Sequence, residues 1–130
     1  MAEARALLRN LRISPRKVIP VADVIRNKDV NVAMEILKVL RKRASYPILK
    51  LLRSAVANWQ QKNPEVPVEE ANLYVKTIIV NQGPAYKRWR PVSRGRAHPY
   101  KRRTSHVLIV VDSKNENLTE ELTENQETTK

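Results

Sequence analysis

The 130-residue chain contains no cysteine and no phenylalanine, and only two glycines, Gly83 and Gly95. The missing cysteine excludes disulfides, thiolate metal sites and a cysteine nucleophile, and it suits a reducing compartment. With aromatics at 5% of residues, aliphatic side chains must fill the core. Two isolated glycines cannot build a glycine-rich phosphate loop. No apolar run approaches the roughly 18 residues of a membrane span. The opening stretch MAEARALLRN lacks the apolar segment of a secretory signal, so an intracellular protein with no membrane partner is expected. Histidine is scarce as well: His98 and His106 stand without a carboxylate or nucleophile at catalytic spacing. Asp23, Asp29 and Glu35 are scattered over helix caps and faces. Neither an acid–base pair nor a metal set emerges, and neither enzymatic activity nor a cofactor is expected.

Acids are missing where bases are densest. The net charge is +12, but residues 112–130 hold six acids against two bases, a net of −4, so residues 1–111 carry +16. Such an excess points to a polyanionic partner, nucleic acid before an anionic membrane surface. Between Lys87 and Arg103 the chain reads KRWRPVSRGRAHPYKRR, with eight Lys or Arg and no Asp or Glu.

The rest of the chain reads as one domain over 1–111, followed by an acidic, disordered tail over 112–130 in which Leu118 and Leu122 allow at most a short helix. Residues 3–11 are ambiguous between a strand and a helical turn. Ser14 and Pro15 open a first helix at N-cap and first position, with Val18, Val21, Ala22 and Ile25 as its stripe. Pro20 inside it removes a hydrogen bond, at roughly 3 kcal/mol or a bend. A second helix starts near Asp29 and is expected to bury Val32, Ala33, Ile36, Leu37 and Leu40. RKRASYP is a basic connector to a third helix, with Pro47 in its first turn and Ile48, Leu51, Leu52, Ala55, Val56 and Trp59 as its stripe. Pro64 and Pro67 end it. Residues 72–80 and 105–111 read as strands, the second apolar on both faces as a central strand would be. The expected fold is α+β: three helices on a small antiparallel sheet, in the order β-α-α-α-β-β, two layers deep.

If the last two strands are antiparallel neighbours, the 24 residues 81–104 connect them. A structureless loop of that size is unusual in a compact domain. Continuing both strands outward gives a β-hairpin arm of about 40 Å, with its midpoint at Val92–Ser93 and its tip in Pro91, Val92, Ser93, Arg94 and Gly95. A two-stranded ribbon is marginal in water, and this one repels itself, so it suits ordering by nucleic acid. Arginine outnumbers lysine in it, and Arg contacts phosphate bidentately and stacks on bases; Tyr86, Trp89 and Tyr100 add stacking surfaces. A flexible basic spacer is the plainer reading.

GPAYKRWRP (83–91), GRA (95–97) and RTSH (103–106), with SPRKV (14–18), VADVIRNK (21–28), SAVAN (54–58) and NLYVK (72–76), are similar to the bacterial-type ribosomal protein twenty-two family of the large subunit. The resemblance covers about residues 5–111. It implies a body on the outside of the subunit, a hairpin threading the large ribosomal RNA to line the nascent-peptide exit tunnel, and a macrolide-binding region nearby. It implies a cytoplasmic ribosome, or a plastid one, as location. Its implied partners are large-subunit RNA, neighbouring ribosomal proteins and the nascent polypeptide, without a homo-oligomer. The expected RNA-binding residues are Arg16, Lys17, Lys87, Arg88, Trp89, Arg90, Arg94, Arg96, Lys101, Arg102, Arg103 and His106. Lys87 and Arg88 are expected to face RNA and the tunnel constriction, with Arg96, Arg103 and His106 along the stem. Val92–Ser93 and His98–Pro99 depart from the family pattern at the tip. The rivals are an architectural DNA-binding protein with a basic ribbon arm and a membrane-surface protein, which needs a basic amphipathic helix instead.

Overall fold

A computed structural model describes residues 3–114 of the chain. Strand β1 (Ala4–Leu11) comes first, so the ambiguous N-terminal stretch is extended. It is followed by α1 (Pro15–Ile25), α2 (Val30–Val39), α3 (Ser45–Lys62) and a one-turn α4 (Val68–Ala71). Then come β2 (Leu73–Gln82), β3 (Tyr86–Pro91), β4 (Ala97–Arg102) and β5 (Ser105–Ser113). Helix α4 corrects the expected count of three. Pro67 opens it and Asn72 closes it in the left-handed conformation, φ 51, which Asn tolerates. Four residues carry too little periodicity to be read as a helix.

The body sheet is antiparallel in the order β1-β5-β2, and β5 is central, as its two-sided apolar sequence requires. On β1, Ala4 and Ala6 are buried while Arg5 and Leu7 are exposed, so the helices cover one face only. The core joins Val18, Val21 and Ile25 of α1, Ile48, Leu52 and Trp59 of α3, and Val75, Val107, Ile109 and Val111 of the sheet, all nearly or fully buried. Trp59 supplies the bulk that phenylalanine would elsewhere. In α2 the buried residues are Val30, Ala33 and Leu37, with Ile36 and Leu40 partly covered. Val32, expected inside, is 43% exposed. The helix meets the core through a stripe that begins two residues earlier, at Val30.

Both edges of the body sheet are occupied. The backbone N–H of Asn27 donates to Val75 O (3.0 Å), and Val75 N–H donates to Lys28 O (2.9 Å) along the outer side of β2. On β1, Asn58 Nδ2 donates to Arg5 O (2.8 Å) and Lys62 Nζ to Glu3 O (2.9 Å). Unpaired strand edges invite aggregation, and these contacts blunt them. At its far end β5 continues through Asp112 and Ser113, opposite Tyr74 and Leu73. The strand therefore takes in the first two residues assigned to the tail. Ser113 Oγ donates to Ala71 O at 2.6 Å. The expected disorder of the tail and the Leu118–Leu122 helix concern residues outside the described ones.

Candidate nucleic-acid interface

The 24-residue connection is a hairpin. Strands β3 and β4 form a separate two-stranded ribbon with Tyr86 opposite Arg102 and Pro91 opposite Ala97. Its turn runs from Val92 to Arg96, closed by Val92 N–H to Arg96 O at 3.0 Å. The turn centre is Arg94, not Val92–Ser93, because Val80 pairs with Val107 rather than Ser105 and the joint to the body is asymmetric. Residues 83–85 link β2 to β3, whereas only 103–104 link β4 to β5. Arg94 and Gly95 both take positive φ, 62° and 68°. At the joint, Gly83 N–H donates to Thr104 O (2.8 Å) and Thr104 Oγ1 donates to Pro84 O (2.7 Å).

Side chains alternate across a ribbon with period two, and the register sorts them by chemistry. Tyr86, Arg88 and Arg90 share one face with His98, Tyr100 and Arg102; Lys87, Trp89 and Pro91 share the other with Ala97, Pro99 and Lys101. All three arginines within the strands thus stand beside the tyrosines, and both lysines beside Trp89. The rings are capped by cations. Arg90 and Arg102 lie 4.9 and 5.7 Å from the Tyr100 ring, Arg88 lies 5.9 Å from Tyr86, and Lys87 lies 5.0 Å from Trp89. Each such contact contributes roughly 0.5–1 kcal/mol at an exposed site, offsetting part of the ribbon's self-repulsion.

The arginine face is exposed but turns toward the body. Between it and the body lies a cleft of about 1520 Å³. The arm wall is Tyr86, Arg88, Arg90, Tyr100 and Arg102 of the arginine face, with Lys101 from the other face and Arg103 and Thr104 from the joint; the body wall is Arg12, Ile13, Ser14, Arg16, Lys17, Pro20, Lys42, Arg43 and Ala44. Ten of these side chains are cationic and none is a carboxylate, so the cleft focuses positive potential. Ser14 and Pro15 place Arg16 and Lys17 in the first turn of α1, where no acid sits. Cations there oppose the helix dipole, and the same end attracts an anion. Ser105 Oγ, fully buried, donates to Ile13 O at 2.5 Å and ties the body wall to the root of the arm.

Of the expected RNA-binding residues, Arg16, Lys17, Arg88, Arg90, Lys101, Arg102 and Arg103 meet in the cleft. Lys87 and Trp89 lie on the opposite face, so neighbouring Lys87 and Arg88 point apart. Arg94 and Arg96 belong to the exposed turn. His106 stands outside the cleft in the stem, where its Nδ1 accepts Asn10 N–H at 3.1 Å. That contact steadies Asn10, at φ 56, within the irregularity that shifts the register of β1 between Leu8 and Leu11. Arg12, Lys42 and Arg43 were not expected. Lys42 and Arg43 read as connector, and Arg12 falls between the ambiguous segment 3–11 and the first helix. The run of three bases at 41–43 was the available signal.

The sequence model of the family described as ribosomal protein L22p/L17e matches residues 6–112. This chain belongs to that family. It is 58% identical over 109 residues to the large ribosomal subunit protein uL22 of Mycoplasma capricolum subsp. capricolum, covering 84% of this chain and 96% of the relative. Against the uL22 of Flavobacterium psychrophilum it is 48% identical over 112 residues, 86% of this chain and 82% of the relative. Against the uL22 of Myxococcus xanthus it is 48% identical over 109 residues, 84% of this chain and 95% of the relative. The L22p/L17e match contains both walls of the cleft and the whole arm. Members of this ribosomal family are structural components and not enzymes, and they reside in the cytoplasm with the ribosome.

Proposed function

We propose that the chain binds large-subunit ribosomal RNA in the cationic cleft and along its arm, and that the arm reaches through the RNA to line the nascent-peptide exit tunnel. As a ribosomal protein of the L22p/L17e family it has a structural role in the large subunit. The carrying observation is the carboxylate-free cleft, where the first turn of α1 and the 42–43 connector face three arginines of the ribbon. An RNA strand entering it meets phosphate ligands from both sides. The arm, marginal alone, gains order from the same contact, which makes the protein an assembly aid for the RNA around it. Neighbouring subunit proteins and the nascent polypeptide are the remaining partners in this reading, and the chain acts as a monomer.

RNA affinity measured against salt tests the first half. If about half of the arm's eight cations release counterions, the log–log slope is roughly −3 to −4, and the body wall steepens it. Lys42→Ala with Arg43→Ala lowers the magnitude of the slope by roughly 1.5. A flat response, or tighter binding to duplex DNA than to large-subunit RNA, would overturn the assignment of RNA to the cleft.

A further inference from the structure

The side of the arm turned away from the cleft has an order of its own. From root to tip its cross-strand pairs are Lys87 with Lys101, Trp89 with Pro99, and Pro91 with Ala97. All six residues are exposed, Trp89 at 59%. The bond from Val92 N–H to Arg96 O fixes the alternation of the ladder. Pairs 90–98 and 88–100 are therefore hydrogen-bonded, and pairs 91–97, 89–99 and 87–101 are not. Pro91 and Pro99 fall where a missing N–H costs no ladder bond. Side chains of a non-hydrogen-bonded pair also stand closest. The result is a ledge of indole and pyrrolidine rings toward the tip.

The root end of the same face is cationic. Two lysines directly opposite each other repel. Among the described residues no ion pair reaches Lys87 or Lys101, and residues 83–111 contain no Asp or Glu. Lys101 also borders the cleft, whereas Lys87 does not; its Nζ lies 5.0 Å from the Trp89 ring. Alternate residues rise about 6.6 Å along a strand, so a cation and a flat ring stand one nucleotide's phosphate-to-base span apart. The tyrosines are placed differently. Tyr100 is flanked by Arg90 and Arg102, and both tyrosines line the cleft among phosphate ligands.

We propose that this outer face is a subsite for one unpaired nucleotide of single-stranded RNA. The base stacks on Trp89 beside Pro99, and Lys87 with Lys101 holds its phosphate. The proposal rests on the RNA reading of the arm and adds a ligand position on the side that the cleft does not serve. An apolar peptide would cover the rings but leave the lysines unneutralised. A duplex would neutralise the lysines but keep its bases stacked within itself. An unpaired nucleotide satisfies both halves, because every base has a π-face for the indole.

Nuclear magnetic resonance of the full chain tests this, with Trp89 as probe and the buried Trp59 as reference. Short oligoadenylate is expected to move the Trp89 ring protons upfield, through the ring current of the stacked base, and to leave Trp59 in place. Inorganic polyphosphate is expected to bind without that upfield displacement. Trp89→Ala weakens oligoadenylate binding about 5- to 150-fold and leaves polyphosphate affinity unchanged. Trp89→Tyr recovers most of the loss, and Trp89→Leu, apolar without a stacking ring, does not. Lys87→Ala keeps the upfield displacement at saturation but lowers the magnitude of the salt slope by roughly 0.7. Equal loss of oligoadenylate and polyphosphate affinity in Trp89→Ala would make the indole a brace of the ribbon. Full recovery with Trp89→Leu would make the contact apolar rather than stacked. Displacement of the Trp89 signals by an uncharged apolar peptide and not by oligoadenylate would give the face to a polypeptide. Each of these overturns the proposal. Large-subunit RNA that binds the protein with the same affinity after Trp89→Ala would strike the subsite and leave the cleft reading standing, whereas no binding of any RNA would strike both.

Discussion

Two glycines meet two different demands. A Cβ on Gly83 would lie 2.4 Å from Thr104 Oγ1, so this position needs empty space. Gly95 has open space around its missing Cβ but a φ of +68, so it needs conformational freedom. Gly83→Ala is expected to lower unfolding stability by about 1–3 kcal/mol, the usual range for overpacking. Because Thr104 is the clashing neighbour, Thr104→Ala in the same chain should cost less than additivity predicts. Urea titrations of the four variants in the cycle check this. Arg94 is left-handed without being glycine, at φ 62, which costs roughly 1–2 kcal/mol. Ionic pairing at the open face gives a pH signature. The hydrogen bond from Lys76 holds the Glu3 carboxyl below the ordinary carboxylate range, opposed by desolvation. The same bond raises the Lys76 ammonium. The stabilisation from Glu3 is therefore present above the usual carboxylate pKa and is lost as pH falls through its lowered folded value. That from Lys76 is present at neutral pH and disappears only as pH rises through its raised one. Lys76→Met should flatten the stability–pH curve at its acid end and at its alkaline end, as followed by chemical denaturation across pH.

At the scale of elements, the arm is governed by alternation. Deleting Tyr86–Arg88 removes three residues from β3, and an odd deletion exchanges the faces beyond it. Trp89 and Pro91 then turn toward the cleft and Arg90 turns away. The body should stay folded, because β2 ends at Gln82 and β5 begins at Ser105, both outside the deleted segment. Subunit assembly should persist on the remaining cations, whereas macrolide response or nascent-chain stalling should change. Ribosome profiles and drug sensitivity of a strain carrying the deletion check both. Failed assembly with unaltered drug response would make the arm an assembly clamp. Within the body, α3 carries the heaviest structural role. Trp59 is fully buried, and its Nε1 lacks a partner among the described residues. An orphan donor costs about 1–3 kcal/mol. Trp59→Phe removes it along with some volume and should cost well under the roughly 3–5 kcal/mol of Trp59→Ala, measured by thermal and urea unfolding.

For the whole molecule, charge and hydrophobicity are separated in space. Ten cations line the cleft between the arm and the body end beside it, and the aliphatic core lies between the helices and one face of the sheet. The body needs no partner to bury its core, while the arm has almost none to bury: every residue of β3 is exposed, and of β4 only Tyr100 is partly covered. The free protein is therefore expected to combine a rigid body with a mobile arm. Backbone relaxation should give lower order parameters over 86–102 than over α1 and α3. Uniformly rigid values without RNA would show that the cation–ring contacts suffice to hold the ribbon.

The sequence by itself determined the class of fold, the three principal helices, the central place of β5 and the hairpin nature of the basic stretch. These follow from local rules: apolar periodicity, a proline at a helix start, and two-sided apolarity in a strand that has neighbours on both edges. It also carried the family, through GPAYKRWRP, GRA and RTSH in order and spacing. Only the tertiary structure decided which face of the arm each side chain takes. That depends on the unequal 83–85 and 103–104 joints, whose effect on register is not written in any residue's propensity. It also decided the membership of the cleft. Arg12, Lys42 and Arg43 are brought to the arm by the packing of α1 and α3 on the sheet, and residues far apart in the chain become neighbours only through such long-range contacts. The exposure of Val32 has the same origin. The periodicity defines a stripe, but the angle at which a helix settles on the core selects its edge.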